Sequence, residues 1–278
     1  MSGHWLDVVG IGAEGPSGLS AVLQELIADA RLVVGGERHL ALVAELLSGE
    51  AVAWSSPIGA TLDRLRRERG QPPVVVVASG DPLWFGVGRL LLQHFKPTEL
   101  RFHPHVSTFQ LASARLAWPL AETACLSLHG RGLDRLTRYL APDRRLLVLT
   151  SDGEAPAAIG RKLTAAGFGR STMLVLENLG AADESIVGFQ ANEAQYRRFS
   201  DLNTVALLLD ADDPAGKAVG RSLATGLADA AFLHDGQLTK REVRAVTLAR
   251  LDPRPGRHLW DIGAGAGSIA IEWLLAGS

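Results

Sequence analysis

Three segments of this chain carry residue types and spacings able to hold a nucleoside-containing ligand. In the first, Val8-Val9-Gly10-Ile11-Gly12-Ala13-Glu14-Gly15-Pro16 runs from an apolar stretch into a glycine turn. Gly10, Gly12 and Gly15 satisfy G-x-G-x-x-G, a spacing that brings backbone amides close to a pyrophosphate between a strand and a helix. Glu37 follows by ~20 residues, where an acid would take ribose hydroxyls of a dinucleotide. A tight turn that needs only flexible backbone uses the same glycines. The loop alone therefore leaves a nicotinamide cofactor, another nucleoside ligand and a plain structural turn open.

The second segment, Ala78-Ser79-Gly80-Asp81-Pro82-Leu83-Trp84-Phe85-Gly86, is more specific. An apolar strand delivers its backbone to a Gly-Asp-Pro corner, where Pro82 fixes φ and offers no amide hydrogen. Gly80 lets a ligand approach the backbone. Asp81 either takes an amine or hydroxyls or forms an Asx turn capping a helix through Leu90. The third segment, Leu259-Trp260-Asp261-Ile262-Gly263-Ala264-Gly265-Ala266-Gly267-Ser268, repeats the strand and glycine-loop pattern and opens a helix at Ile269. Such a unit makes a site only with strands beside it. The chain thus reads as one complete catalytic unit followed by the opening of a second.

Other reactive types carry less. His103 and His105 flank Pro104 with no carboxylate or cysteine near them in sequence, a poor metal set, so no metal is expected. The single cysteine, Cys125, excludes an intrachain disulfide and reads as buried filler. Arg64, Arg66, Arg67 and Arg69 form a basic run that reads as a solvated helix face.

Short β-rich runs alternating with helical segments must position these residues. Leu6 to Ile11, Leu32-Val33-Val34, 74–78 and 146–150 read as buried strands. Ser17 is expected to cap a helix through Leu19, Val22, Leu23, Leu26, Ile27 and Ala30. The pattern predicts an α/β fold with a largely parallel sheet. After about residue 150 the strands 172–176, 185–190 and 203–209 crowd together, which predicts a more antiparallel lobe. Asp210-Ala211-Asp212-Asp213-Pro214 reads as a boundary and 215–236 as a connector. From Leu238 a helix is expected, with Thr239 as cap and Val243, Val246, Thr247 and Leu251 along one side.

The chain has 278 residues and a net charge of −2, so nothing in its charge argues for nucleic acid or an anionic membrane as partner. No run resembles a signal peptide or a membrane span, and a cytoplasmic enzyme is expected.

With these motifs in order, residues 6 to about 209 resemble the tetrapyrrole methylase superfamily, the S-adenosylmethionine-dependent enzymes of corrin and sirohaem synthesis. The resemblance rests on Val9-Gly10-Ile11-Gly12, on Ser79 to Gly86, and on His105-Val106-Ser107-Thr108-Phe109-Gln110-Leu111-Ala112-Ser113-Ala114-Arg115. It continues through Ser127-Leu128-His129-Gly130-Arg131, Leu149-Thr150-Ser151-Asp152-Gly153-Glu154 and Leu176-Glu177-Asn178-Leu179-Gly180. Within the superfamily, the His-Gly-Arg and Glu-Asn-Leu-Gly segments look like the cobalamin-pathway branch that methylates precorrin-6B/6Y at C5. Gln237 to Arg244 and Trp260 to Gly267 resemble the start of the C15-methylating, decarboxylating partner, a Rossmann-like class I methyltransferase domain.

The resemblance implies a two-lobed methylase domain over 1–209, with lobes of about 1–118 and 119–209. A connector over 210–236 and an incomplete second domain over 237–278 follow. It implies that Gly10, Gly12, Ser79, Gly80, Asp81 and Trp84 face S-adenosylmethionine. Ser107 and Thr108 would offer hydroxyls and amides to its amino-acid end, and Leu179 and Gly180 would lie on its adenine side. Thr239, Asp261, Gly263, Gly265 and Gly267 would frame a second donor site in a complete domain. His129 and Arg131 are the candidates beside a precorrin, Arg131 pairing with substrate carboxylates. Where many relatives have Gly-Pro-Gly-Asp, this chain has Gly12-Ala13-Glu14-Gly15, and Glu14 is not an obvious substitute for that acid. A homodimer is expected from the family. Two rivals stand beside this reading: an NAD(P)-dependent oxidoreductase built on the first glycine loop, and a non-catalytic tetrapyrrole-binding or assembly partner.

Overall fold

Leu6–Ile11 and Val74–Val77 are buried along their length, and strands apolar on both faces belong in the middle of a parallel sheet covered on two sides. The computed structural model, which describes residues 3–213 and 225–277, places them there. The first sheet holds β1 (Leu6–Ile11), β2 (Leu32–Gly35), β3 (Glu50–Ala53), β4 (Val74–Ser79) and β5 (Leu100–His103). Their order is β3-β2-β4-β1-β5 and every pairing is parallel. Helices α1 (Ala21–Ala28), α2 (Glu37–Leu42), α3 (Gly59–Arg67) and α4 (Gly88–His94) lie in the connections. Alternate side chains enter two cores: Val8, Val34 and Val76 pack with Leu62 and Phe95, while Val9, Val33 and Val77 pack with Ile27 and Leu19.

Helix α5 (Thr108–Leu116) leads into a second sheet, made of β6 (Thr123–Ser127), β7 (Arg145–Leu149), β8 (Thr172–Glu177), β9 (Ser185–Gln190) and β10 (Asn203–Leu208). Its order is β6-β7-β10-β8-β9, and only β6 and β7 run parallel, so the crowded strands are antiparallel as their spacing predicts. One face packs Leu146, Val148, Val175 and Val205 with Ile159 and Leu163 of α6 (Ala155–Ala165). The other packs Leu147, Leu176 and Ala206 against Phe109 and Ala112 of α5.

Three strands escape a reading by apolar runs. β3, β5 and β6 are short and all lie at sheet edges, where polar residues interrupt the pattern and β3 and β5 turn side chains to solvent. Cys125 sits on β6 and is half-buried rather than buried, its thiol pushed up to about 11 by desolvation. Helix α1 starts at Ala21 with Ser20 before it, while Ser17 lies in a short 3-10 turn and donates to the Glu14 carbonyl. The arginine run is ion-paired: Arg64 reaches Glu50 and Glu68, Arg66 reaches Asp63, and Arg69 reaches Glu99. Asp7, buried in β1, is balanced by Arg101 Nε at 2.6 Å and His103 Nε2 at 2.8 Å.

The chain divides into two compact units, residues 1–219 and 220–278. Beyond residue 209 the first unit still buries Ala211, and Asp212 accepts from the amides of Gly169 and Arg170.

In the second unit, α7 (Arg241–Leu251) follows Lys240 rather than a Thr239 cap, and α8 is Ser268–Gly277. The face expected to pack is the open one: Val243 and Val246 are exposed, while Arg244 and Leu248 are buried. Arg244 donates to Glu272 at 2.8 Å, to Asp229 at 2.7 Å and to the carbonyls of Thr239 and Leu227, and lies over the Phe232 ring. Glu272 also receives the amides of Gly226 and Leu227, so residues of the expected connector belong to this unit's packing. The strand expected at 259–262 is not formed, and Trp260 and Ile262 are exposed. Among the described residues no helix is long and apolar enough to cross a membrane.

Candidate active site

In an open parallel sheet the strands' carboxyl ends, where neighbouring connections diverge, leave a crevice. Here that crevice is a cleft of about 450 Å³ within the first unit. The first lobe supplies residues from the segments that leave β1, β2, β4 and β5: Ile11–Ala13; Gly36, Arg38 and His39; Ser79–Asp81 and Trp84–Val87; and Val106–Phe109. The second lobe supplies Ser127 at the end of β6, His129 just after it, Thr150 after β7, Leu179 after β8, and Leu202–Thr204 at the start of β10.

Of the residues singled out by sequence, Gly12, Ser79, Gly80, Asp81, Trp84, Ser107, Thr108, Leu179 and His129 line this cleft. Gly10 does not. A Cβ there would stand 1.8 Å from the Gly80 carbonyl oxygen, so its glycine is demanded by backbone passing backbone rather than by a ligand. Gly80 has φ +52, and a Cβ on it would meet the Ser107 Cα at 2.8 Å, which pins the β4 corner against the start of α5. Gly180 has φ +84 and does not line the cleft either, donating its amide to Glu184. Arg115 beside Glu184 holds that carboxyl below the usual range. Arg131 does not line the cleft either, but its guanidinium lies 5.2 Å from the ring centroid of Phe85, which does.

Two residues are partly committed. Ser107 caps α5: its amide donates to Gln110 Oε1 at 2.8 Å and its hydroxyl accepts from the Gln110 amide. That leaves Thr108 as the freer donor at this corner. Asp81 Oδ1 accepts from the Leu83 amide at 2.8 Å, an Asx turn, but α4 begins only at Gly88. Trp84 tilts onto Phe109 with centroids 4.9 Å apart, and Phe85 meets Phe109 edge-on at 5.9 Å. Phe85 holds φ +60, an uncommon conformation for an aromatic residue.

The cleft also contains residues that sequence reading passed over. Arg38 and His39 face it from the start of α2, and Glu37, which a dinucleotide site needs there, does not line it. His39 Nε2 is 2.6 Å from Ser79 Oγ, and Arg38 Nη2 is 3.1 Å from the same oxygen. Burial, reinforced by the Arg38 charge, pushes the imidazole down to about 4, so it is neutral near pH 7. The Ser79 hydroxyl then donates to Nε2 while Arg38 donates to Ser79, and the ring proton sits on Nδ1, which is buried without a partner. No spacing rule marks an Arg-His pair after Gly-Gly. Polar residues directly after a buried strand and two glycines were the available signal.

His103 and His105 do have carboxylates, brought by the fold and not by sequence. His103 takes Asp7, and His105 Nε2 lies 3.2 Å from Glu14 and 3.1 Å from the Gly18 carbonyl. In the second unit Gly263, Gly265 and Gly267 all have positive φ, and Asp261 keeps one buried carboxylate oxygen unpartnered. Thr239 is exposed and engages Arg244 through its carbonyl.

A nucleoside sulfonium fits the cleft. Aromatic faces suit a sulfur-centred cation, and Thr108 and the glycine backbone offer donors for a polar end.

Residues 6–195 match the family of tetrapyrrole (corrin/porphyrin) methylases, and residues 230–278 match the precorrin methyltransferase domain. The chain is 46% identical over 272 residues to a precorrin-6Y C(5,15)-methyltransferase (decarboxylating) of Sinorhizobium, covering 98% of this chain and 65% of that one. It therefore spans about two thirds of that relative's length. It is 33% identical over 207 residues to the cobalt-precorrin-7 C(5)-methyltransferase of Salmonella typhimurium, covering 73% of this chain and 98% of that protein. The crystal structure of a cobalamin-biosynthetic precorrin-6Y methylase from Archaeoglobus fulgidus superposes with a TM-score of 0.59 at 27% identity, covering 75% of this chain and all of that one. With a fold, cleft and motif order that agree with these matches, the chain belongs to the tetrapyrrole methylases.

Proposed function

We propose that the first unit is an S-adenosylmethionine-dependent C-methyltransferase acting on a precorrin at C5, in cobalamin biosynthesis. The observation that carries this is the cleft, in which the Ser79-Gly80-Asp81 corner, Trp84, Thr108 and Leu179 converge from both lobes. The relatives that match the first unit bear C5-methyltransferase names. S-adenosylmethionine supplies an electrophilic methyl group on a sulfonium, a good leaving group, so alignment is the chief demand on the protein. Asp81 and Gly80 shape the corner, Trp84 and Phe85 offer apolar faces, and Thr108 offers a hydroxyl and an amide to an amino-acid end. His129, which lines the cleft, is the candidate to take the proton that the meso carbon must lose. Arg131, whose guanidinium lies over the Phe85 ring, is the candidate partner for a substrate carboxylate.

We infer further that residues 230–278 open a second methyltransferase domain, Rossmann-like, with Asp261 and the three glycines of its loop at a second donor site. The C15 methylation and decarboxylation named for the longer relatives would belong to that domain. A soluble homodimer fits the family.

Calorimetric titration of the chain with S-adenosylhomocysteine and, separately, NADH tests the reading. One equivalent of the homocysteine compound bound and no NADH is expected. NADH binding alone would restore the oxidoreductase. Donor binding with no methyl transfer to a precorrin would leave a binding partner instead of an enzyme.

A further inference from the structure

The arginines of the first lobe are mostly spent on carboxylates: Arg31 on Glu68, Arg64 on Glu50, Arg69 on Glu99, Arg101 on Asp7. Arg38 is the exception inside the cleft. Among the described residues its guanidinium contacts only Ser79 Oγ and His39 Nε2, both uncharged. Such partners orient the fork without neutralising it, and both contacts use the same nitrogen, Nη2. The Nε–H and Nη1–H donors carry no hydrogen bond to another described residue and are left for an anion.

We propose that Arg38 reads a side-arm carboxylate of the tetrapyrrole in the cleft, with Ser79 and His39 as the residues that position its guanidinium. This rests on the methylase reading above and names a specificity residue for it. Arg38 follows β2, whereas Thr108 follows β5, and the sheet order puts β4 and β1 between those strands. Three strand spacings separate the two corners by roughly 14 Å. A donor whose amino-acid end sits at Thr108 leaves Arg38 to its uncharged adenine or ribose, or to another molecule. The tetrapyrrole, with several acetate and propionate arms, is the ligand that brings anions.

Cobyrinic acid, a corrin with its side-arm carboxylates free, and its heptamethyl ester, with each of them masked, serve as ligands for wild type, Arg38→Gln and Arg38→Lys. Binding is read by calorimetry beside S-adenosylhomocysteine. Wild type is expected to bind the acid ~10-fold or more tighter than the ester, the size of one charge-assisted contact. Arg38→Gln should lose that preference and Arg38→Lys keep part of it, with S-adenosylhomocysteine affinity unchanged in both, which also shows that they fold. Undiminished acid binding in Arg38→Gln overturns the proposal. So does weakened S-adenosylhomocysteine binding with the acid unaffected, which would place Arg38 on the donor. Wild type that binds S-adenosylhomocysteine but neither corrin also overturns it. Wild type that binds no S-adenosylhomocysteine defeats instead the methylase reading beneath it.

Discussion

The Cα of Gly10 faces the carbonyl oxygen of Gly80 so closely that a Cβ would stand 1.8 Å from that oxygen and 2.8 Å from the His105 amide nitrogen. The His105 amide in turn donates to the Gly80 carbonyl at 3.2 Å. The ends of β1 and β4 and the segment after β5 thus interlock through main chain alone, and this junction carries the Gly-Asp-Pro corner.

Replacing Gly10 by alanine must therefore move backbone. The cost expected is ~2–4 kcal/mol, at the upper end of overpacking effects. At Gly12 the nearest atoms to an added methyl belong to the Glu14 carboxylate, a flexible side-chain end that can swing away. Gly12→Ala should cost less than ~1 kcal/mol of stability while weakening donor binding. Urea denaturation of both variants beside S-adenosylhomocysteine titration checks the contrast; equal destabilisation would remove the interlock from the explanation.

His39 gives the first unit a pH dependence. Unfolded, the ring titrates near its ordinary value of 6.5; folded, at about 4. Between those values the unfolded chain holds a proton that the folded chain lacks, so stability falls as pH drops from 6.5 towards 4 and is unaffected by this group above 6.5. The partly solvated site reduces the full linkage to something on the order of 2 kcal/mol. Urea midpoints for wild type and His39→Gln at about pH 4.5 and about pH 7.5 should show a smaller acid-side loss in the variant.

Arg38 and His39 also mark where sequence stops being informative. The buried strands were legible because β1, β4, β7 and β10 are short, largely apolar runs of strand length rich in Val and Leu and bounded by polar or glycine residues, and the crowding after Thr172 gave the antiparallel lobe. Three of the four edge strands, β3, β5 and β6, were not, since a half-solvated strand such as Leu100–His103 has no run to read. At the site, Ser79 to Trp84 were legible because one continuous loop carries them. Arg38 meets Ser79 only because β2 lies beside β4, a neighbour relation that local spacing does not encode. The same limit misled the reading of α7: helical periodicity predicted that Val243 and Val246 would pack, yet an ion network around Arg244 took the inner face.

That network predicts non-additivity. Arg244 and Glu272 are both buried, and removing one partner strands the other's charge. Glu272→Leu alone should destabilise the second unit by ~3–5 kcal/mol, whereas Arg244→Met with Glu272→Leu should cost much less. Hydrogen exchange of α7 and α8 reads the difference. A double variant as damaged as the sum of the singles would show that the hydrogen bonds to Gly226, Leu227 and Thr239 matter more than the charge pair.

Asp81 decides whether the corner recognises its ligand by charge or by shape. Its Oδ1 closes the Asx turn on the Leu83 amide, and asparagine presents the same carbonyl acceptor at that place. If the turn is its role, Asp81→Asn should bind S-adenosylhomocysteine within about twofold of wild type. Asp81→Ala, losing one hydrogen bond of ~1 kcal/mol, should bind roughly fivefold more weakly. If instead the carboxylate meets the ligand's ammonium or ribose, both variants fall together and by more than tenfold, because a charge-assisted contact is worth about twice a neutral one. The closed turn in the structure makes the first outcome the expected one.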